Sequence, residues 1–72
     1  MYKLTRYSYN RECGTVNFEF KSALIKFLDT ILGDTYKNKR IQSEIYNDLF
    51  PITFEALDWN FNYTFEYSIK ED

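Results

Sequence analysis

Cys13, flanked by Arg11 and Glu12, is the one thiol in the chain and the side chain best suited to covalent chemistry near neutral pH. A thiol attacks as its thiolate, histidine is the usual base that makes one, and the sequence contains no histidine. Arg11 could lower the thiol pKa, but with no base and no oxyanion motif beside it Cys13 reads as incidental, and Glu12 reads first as a turn residue. The carboxylates Glu44, Asp48, Glu55 and Asp58 lack the interleaved oxygen donors of a calcium loop, so no bound metal is expected. Gly14 and Gly33 are the only glycines, which leaves no loop to cradle phosphates, and neither ATP nor a dinucleotide is expected as cofactor. The chain reads as non-enzymatic.

Binding chemistry has more candidates. Lys37, Lys39 and Arg40 form the one tight basic cluster, and with Tyr36 beside them they could hold a phosphate and stack on a base. Tyr7 and Tyr9 would form a stacking platform for single-stranded nucleic acid if they stood on an open sheet face. Against that, the chain carries nine Lys and Arg against eleven Asp and Glu, a net charge of −2, whereas binders of phosphate backbones usually carry a basic surplus. The charge is also uneven. Residues 1–42 hold eight basic and four acidic side chains, residues 43–72 one basic and seven acidic. A basic half suits nucleic acid and an acidic half suits a basic groove on another protein, unless the fold interleaves them.

The elements that must position these residues follow from periodicity. From Trp59 to Ile69, Trp59, Phe61, Tyr63, Phe65, Tyr67 and Ile69 alternate with Asn60, Asn62, Thr64, Glu66 and Ser68, which predicts a strand with its rings buried and its polar row exposed. The polar row adds Asn60, Asn62 and Glu66 to the candidate binding residues. Residues 2–9 predict a first strand whose pattern slips near Thr5, through a bulge or through tyrosines on both faces, as happens at a sheet edge. Asn10–Gly14 predicts a turn and Val16–Phe20 a second strand, pairing with the first as a hairpin. Ser22 as N-cap, Leu24, Phe27, Leu28 and Ile31 as one face, and Gly33 as C-cap predict a helix. A second helix is predicted from Asn38 or Lys39 to Leu49, with Ile41, Ile45, Tyr46 and Leu49 on one side and Pro51 ending it. Its charges oppose the helix dipole, with Lys39 and Arg40 early and Asp48 late. Ile52, Phe54 and Ala56 predict a short third strand, with a helical turn as the rival. The fold class is therefore α+β: a small antiparallel sheet of three or four strands, order β-β-α-α-β-β, with helices packed on one face.

Seventy-two residues without linkers or repeats suggest a single compact domain over 1–72, small enough that its core is thin. One unpaired cysteine excludes an internal disulfide, so the aromatics, 21% of residues, are the expected substitute for a larger core. With no hydrophobic leader and no apolar run near 18 residues, a cytoplasmic protein with no membrane segment is expected. The triplet Asn62-Tyr63-Thr64 matches a glycosylation acceptor and is discounted for the same reason.

Few catalytic side chains and more tyrosine than so small a domain can easily bury point to a non-catalytic protein-binding module. The heavy use of Asn, Lys, Ile, Tyr and Phe resembles that of small accessory proteins of bacterial viruses. The resemblance implies an inhibitor of a host enzyme or defence complex, working in the host cytoplasm. Two alternatives use other residues: a single-stranded nucleic-acid binder through Tyr7, Tyr9, Lys37, Lys39 and Arg40, and a structural homodimer paired through the long last strand.

Overall fold

The computed structural model describes residues 1–57 and 63–72. Within them the chain runs β1 (Tyr2–Ser8), β2 (Arg11–Phe18), α1 (Lys21–Leu32), α2 (Tyr36–Tyr46), β3 (Ile52–Leu57) and β4 (Thr64–Glu71). The strands form one antiparallel sheet in the order β2-β1-β4-β3, and both helices pack on one of its faces. The α+β class and the order β-β-α-α-β-β are those the sequence predicts.

Pairing register fixes which side chains share a face. Leu4 lies opposite Ile69, and Ile69 opposite Ile52, so these three meet on the helix side with Phe54, Ala56 and Tyr67. From the helices, Leu24 and Leu28 of α1 and Ile41 and Ile45 of α2 complete the core. The residues sealed completely from water, Leu24, Leu28, Ile41, Ile45 and Ile69, are all aliphatic. Among the described residues the aromatics therefore do not replace the core. Of them Phe54 and Tyr67 are buried, stacked with ring centres 5.0 Å apart, while Tyr2, Phe18, Phe50 and Phe65 form a half-buried rim. Branched aliphatic chains fill the narrow space between helix and sheet, and the rings close its margins.

Several local expectations are corrected. β1 is an interior strand, hydrogen-bonded on one side to β2 and on the other to β4. It pairs with β4 without interruption from Tyr2 to Tyr7, so it is not turned over and carries tyrosines on both faces; the bulge is in β2, where Arg6 pairs with Gly14 and Tyr7 with Glu12, leaving Cys13 as the extra residue. Tyr2 consequently faces the helices and Tyr7 faces away from them. The reversal is Tyr9-Asn10 rather than Asn10–Gly14, with φ of 52° and 65° inside the Ser8–Arg11 pair, a two-residue type I′ turn. Helix α1 starts two residues earlier than a Ser22 cap would place it, with Phe20 at the N-cap position and no side-chain cap, and Gly33 is its C-cap as expected.

Helix α2 also starts earlier, because the Thr35 hydroxyl accepts the Asn38 amide and caps it, and it ends at Tyr46, before Leu49. Tyr46 and Leu49 are exposed, leaving Ile41 and Ile45 as its apolar contacts. A polar clasp compensates. Asn38, 3% exposed, donates from Nδ2 to Asp29 Oδ1 at 2.7 Å and to the Gly33 carbonyl at 2.7 Å. Gln42 Nε2 donates to Asp29 Oδ1 and to Asn38 Oδ1, tying α2 to the end of α1. Residues 52–57 are strand, with perfect alternation of buried and exposed positions, and not a helical turn. In β4, Tyr67 and Ile69 point inward as predicted, while Tyr63 is 57% exposed. The part of the predicted strand from Trp59 to Asn62, including the candidate residues Asn60 and Asn62, lies outside the described residues. Both edges of β4 are occupied by β1 and β3, so a twin cannot pair with it as the homodimer reading requires.

Candidate docking face

The sheet face turned away from the helices carries three rungs of polar side chains. Strand pairing sets Asn17, Lys3 and Lys70 in the first, Thr15, Thr5, Ser68 and Thr53 in the second, and Glu12, Tyr7, Glu66 and Glu55 in the third. Successive rungs are two residues apart along β1, β3 and β4, about 7 Å, and three apart between Thr15 and Glu12 of β2, where the bulge lies. The charge asymmetry of the sequence thus becomes a gradient along the strands, lysines at one end and glutamates at the other. The halves interleave in the sheet, but the charge does not cancel on this face.

The middle rung is a band of hydroxyls. Thr5, 5% exposed, and Ser68, 8% exposed, are shielded by the longer side chains standing around them, and Thr5 Oγ1 shares a 3.3 Å hydrogen bond with Thr15 Oγ1. In the basic rung Lys3 and Lys70 are direct cross-strand neighbours, and Lys3 Nζ lies 3.7 Å from Asp72 Oδ2, which offsets part of their repulsion. The acidic rung has no such relief. Glu55 and Glu66 are opposite one another, Tyr7 stands on the other side of Glu66, and among the described residues no cation reaches ion-pair distance of either glutamate. Shallow concavities border this end, lined by Tyr7, Glu55, Glu66 and, toward the hairpin tip, Tyr9 and Asn10. Tyr9 is 90% exposed and holds a left-handed backbone conformation, which costs a tyrosine about 1 kcal/mol relative to glycine.

The residues proposed for nucleic acid are not brought together. Tyr7 stands among glutamates on the open face, whereas Tyr36, Lys37, Lys39 and Arg40 lie on α2, across the sheet. Within that cluster Lys37 and Lys39, two apart on the helix, point to different sides. Lys37 Nζ donates to the Glu55 carbonyl at 2.6 Å and covers the outer edge of β3; Lys39 Nζ lies 4.0 Å from Asp34 Oδ1; Tyr36 is 94% exposed. Of the charges that oppose the α2 dipole, Asp48 binds Lys21 of α1 at 2.7 Å and Lys39 reaches Asp34, while Lys37 braces the sheet. The Cys13 thiol is exposed in the bulge and donates to the Arg11 carbonyl at 3.4 Å. No helix among the described residues is long and apolar enough to cross a membrane, and those residues contain no cluster of three potential metal ligands.

Glu12 and Glu55 belong to the acidic rung and were not among the residues picked from the sequence for binding. Alternation in Ile52–Leu57 already turns Glu55 outward, but only the bulge at Cys13 brings Glu12 alongside Tyr7. The fold and its open face define a two-layer α+β protein with one uncovered sheet surface. No protein-family model, curated protein or solved structure matches the chain.

Proposed function

We propose that the chain is a non-catalytic protein-binding module that docks the acidic end of its open sheet face, with Tyr7, Tyr9, Glu55 and Glu66 at the contact, on a basic surface of another protein. The observation that supports this most directly is the directly opposed Glu55–Glu66 pair without a cation. Like charges facing across two strands work against the free chain, and a lysine or arginine from a partner relieves that repulsion while the tyrosines bring apolar area and hydroxyls to the contact. A small protein that occupies a basic groove in this way is suited to block it. This is how an accessory protein would inhibit a host enzyme or defence complex in the cytoplasm.

The test is affinity capture from a bacterial lysate at about 50 mM and 200 mM salt, with wild type and a Glu55→Lys/Glu66→Lys variant in parallel. A stoichiometric protein partner retained by wild type at low salt, weakened at higher salt and lost by the variant is the expected outcome. No stoichiometric partner at either salt, or equal capture by the variant, overturns the proposal.

A further inference from the structure

On the helix side the sheet is longer than the helices that cover it, and beyond Leu4 and Ile69 an open groove runs under the C-terminal turn of α1. Its two adjoining concavities, of about 580 Å³ and 380 Å³, share Arg6, Ile31 and Tyr67. The first is walled further by Leu32, Ala56 and Phe65, the second by Phe27 and Val16. The volume lies within the range of small-molecule sites, about 300–1,000 Å³, and the walls are mainly apolar as such sites are.

The charge in the groove is one-sided. Arg6 follows Leu4 on the same face of β1, so the strand carries a guanidinium to the place where the next core residue would stand. It rests over the Phe65 ring, 4.5 Å from its centre. Among the described residues Arg6 is in no ion pair and no aspartate or glutamate lines either concavity. Lys37 lines the same groove, spending one of three donors on the Glu55 carbonyl. Thr35, the N-cap of α2, brings the positive end of that helix to the same wall. In a chain whose net charge is −2, an apolar groove with two cations and no acid among the described residues is complementary to a ligand that is apolar and negatively charged.

We propose that this groove binds a small apolar carboxylic acid, the carboxylate held by the fork of Arg6 and the hydrocarbon laid along Ile31, Ala56, Phe65 and Tyr67. A planar guanidinium braced on a ring is pre-set for bidentate contact with a carboxylate, and the walls take the chain out of water. The site lies across the sheet from the docking face and stands independently of it.

The probes are octanoate and 1-octanol, alike in chain and different in charge, titrated into the full chain at neutral pH with backbone amide shifts as readout. The expected result is saturable shifts at Ile31, Ala56 and Tyr67, with octanoate bound about tenfold more tightly than octanol. Arg6→Gln should bring the two affinities together, and Arg6→Lys should fall between, with thermal melts showing that both variants fold. The wild-type comparison decides even if a variant does not fold. Equal binding of the two probes, binding of neither, or shifts confined to the open face overturns the proposal. So does an acidic leucine-rich peptide bound in preference to octanoate, or a dimer of the chain that occupies the groove.

Discussion

Ser68 and Ile69 are neighbours on β4, both shielded from water, and they point to opposite sides of the sheet. Ile69 is completely enclosed by Leu4, Ile52 and the two helices. Ser68 keeps 8% of its surface and is covered by the side chains standing on the open face beside it. Similar burial therefore has unequal worth. On the helix side, surface is removed from water against closely packed aliphatic chains, and removing atoms leaves a void. On the open side, cover comes from flexible polar chains that water can replace. The first side holds the fold together and the second is free to meet a partner.

The largest effect should come from testing that contrast directly. Ile69→Ala is expected to cost roughly 2 to 5 kcal/mol in urea unfolding, from lost transfer energy and the cavity left behind. Ser68→Ala should cost less than about 1 kcal/mol, since water fills the gap and no buried partner is orphaned. Comparable losses at the two positions would mean that the open face is packed in solution, and the contrast would be gone.

A second, smaller effect separates the acidic rung from the rest of its face. Glu66→Gln removes the charge opposite Glu55 and keeps the shape of the side chain, so it should raise stability by about 0.2 to 1 kcal/mol, with the gain fading as salt screens the pair in wild type. The same change should weaken capture of a partner. A variant less stable than wild type at low salt would show that the free chain already satisfies Glu66 and that the site is not held in reserve.

The helix side was the more legible of the two in the sequence, and the reason is periodicity. Leu24 and Leu28, Ile41 and Ile45, and Ile52, Phe54 and Ala56 recur at helical or strand spacing, so the order of elements followed from them. What escaped was whatever depends on one polar residue. Asn38 looks like a surface residue, yet it is buried in the clasp with Asp29 and Gln42, and its place shows only when the two helices are side by side. The hairpin was misplaced because Gly14 draws the eye as a turn residue, whereas the positive φ angles belong to Tyr9 and Asn10. On the open face the strand pattern separated inward from outward positions, but rungs are a property of register, and register was set by a bulge at Cys13 that no local signal announces. The basic cluster rests on adjacency, and on a helix adjacency sets Lys37 and Lys39 on different sides of the axis.

The smallest effect concerns the margin of the helix side, where charge rather than packing joins α1 to the segment after α2. The hydrogen bond from Lys21 to Asp48, reinforced by the attraction of the carboxylate, holds the Lys21 ammonium above its usual pKa of 10.5. A pKa raised in the folded chain means that the folded state keeps its proton more tightly than the unfolded state does. The stabilisation is therefore complete at pH values below 10.5 and is lost as pH rises through the folded value. Asp48→Asn isolates it, because asparagine tolerates the left-handed backbone that Asp48 adopts, with φ of 56°, and removes only the charge. The difference in stability between wild type and Asp48→Asn should be constant from neutral pH to about pH 9 and should shrink above the ordinary lysine value. A difference unchanged through that range would mean that the pair contributes nothing, and that the apolar core, the clasp of Asn38 and Gln42 and the Lys37 contact keep the helices in place.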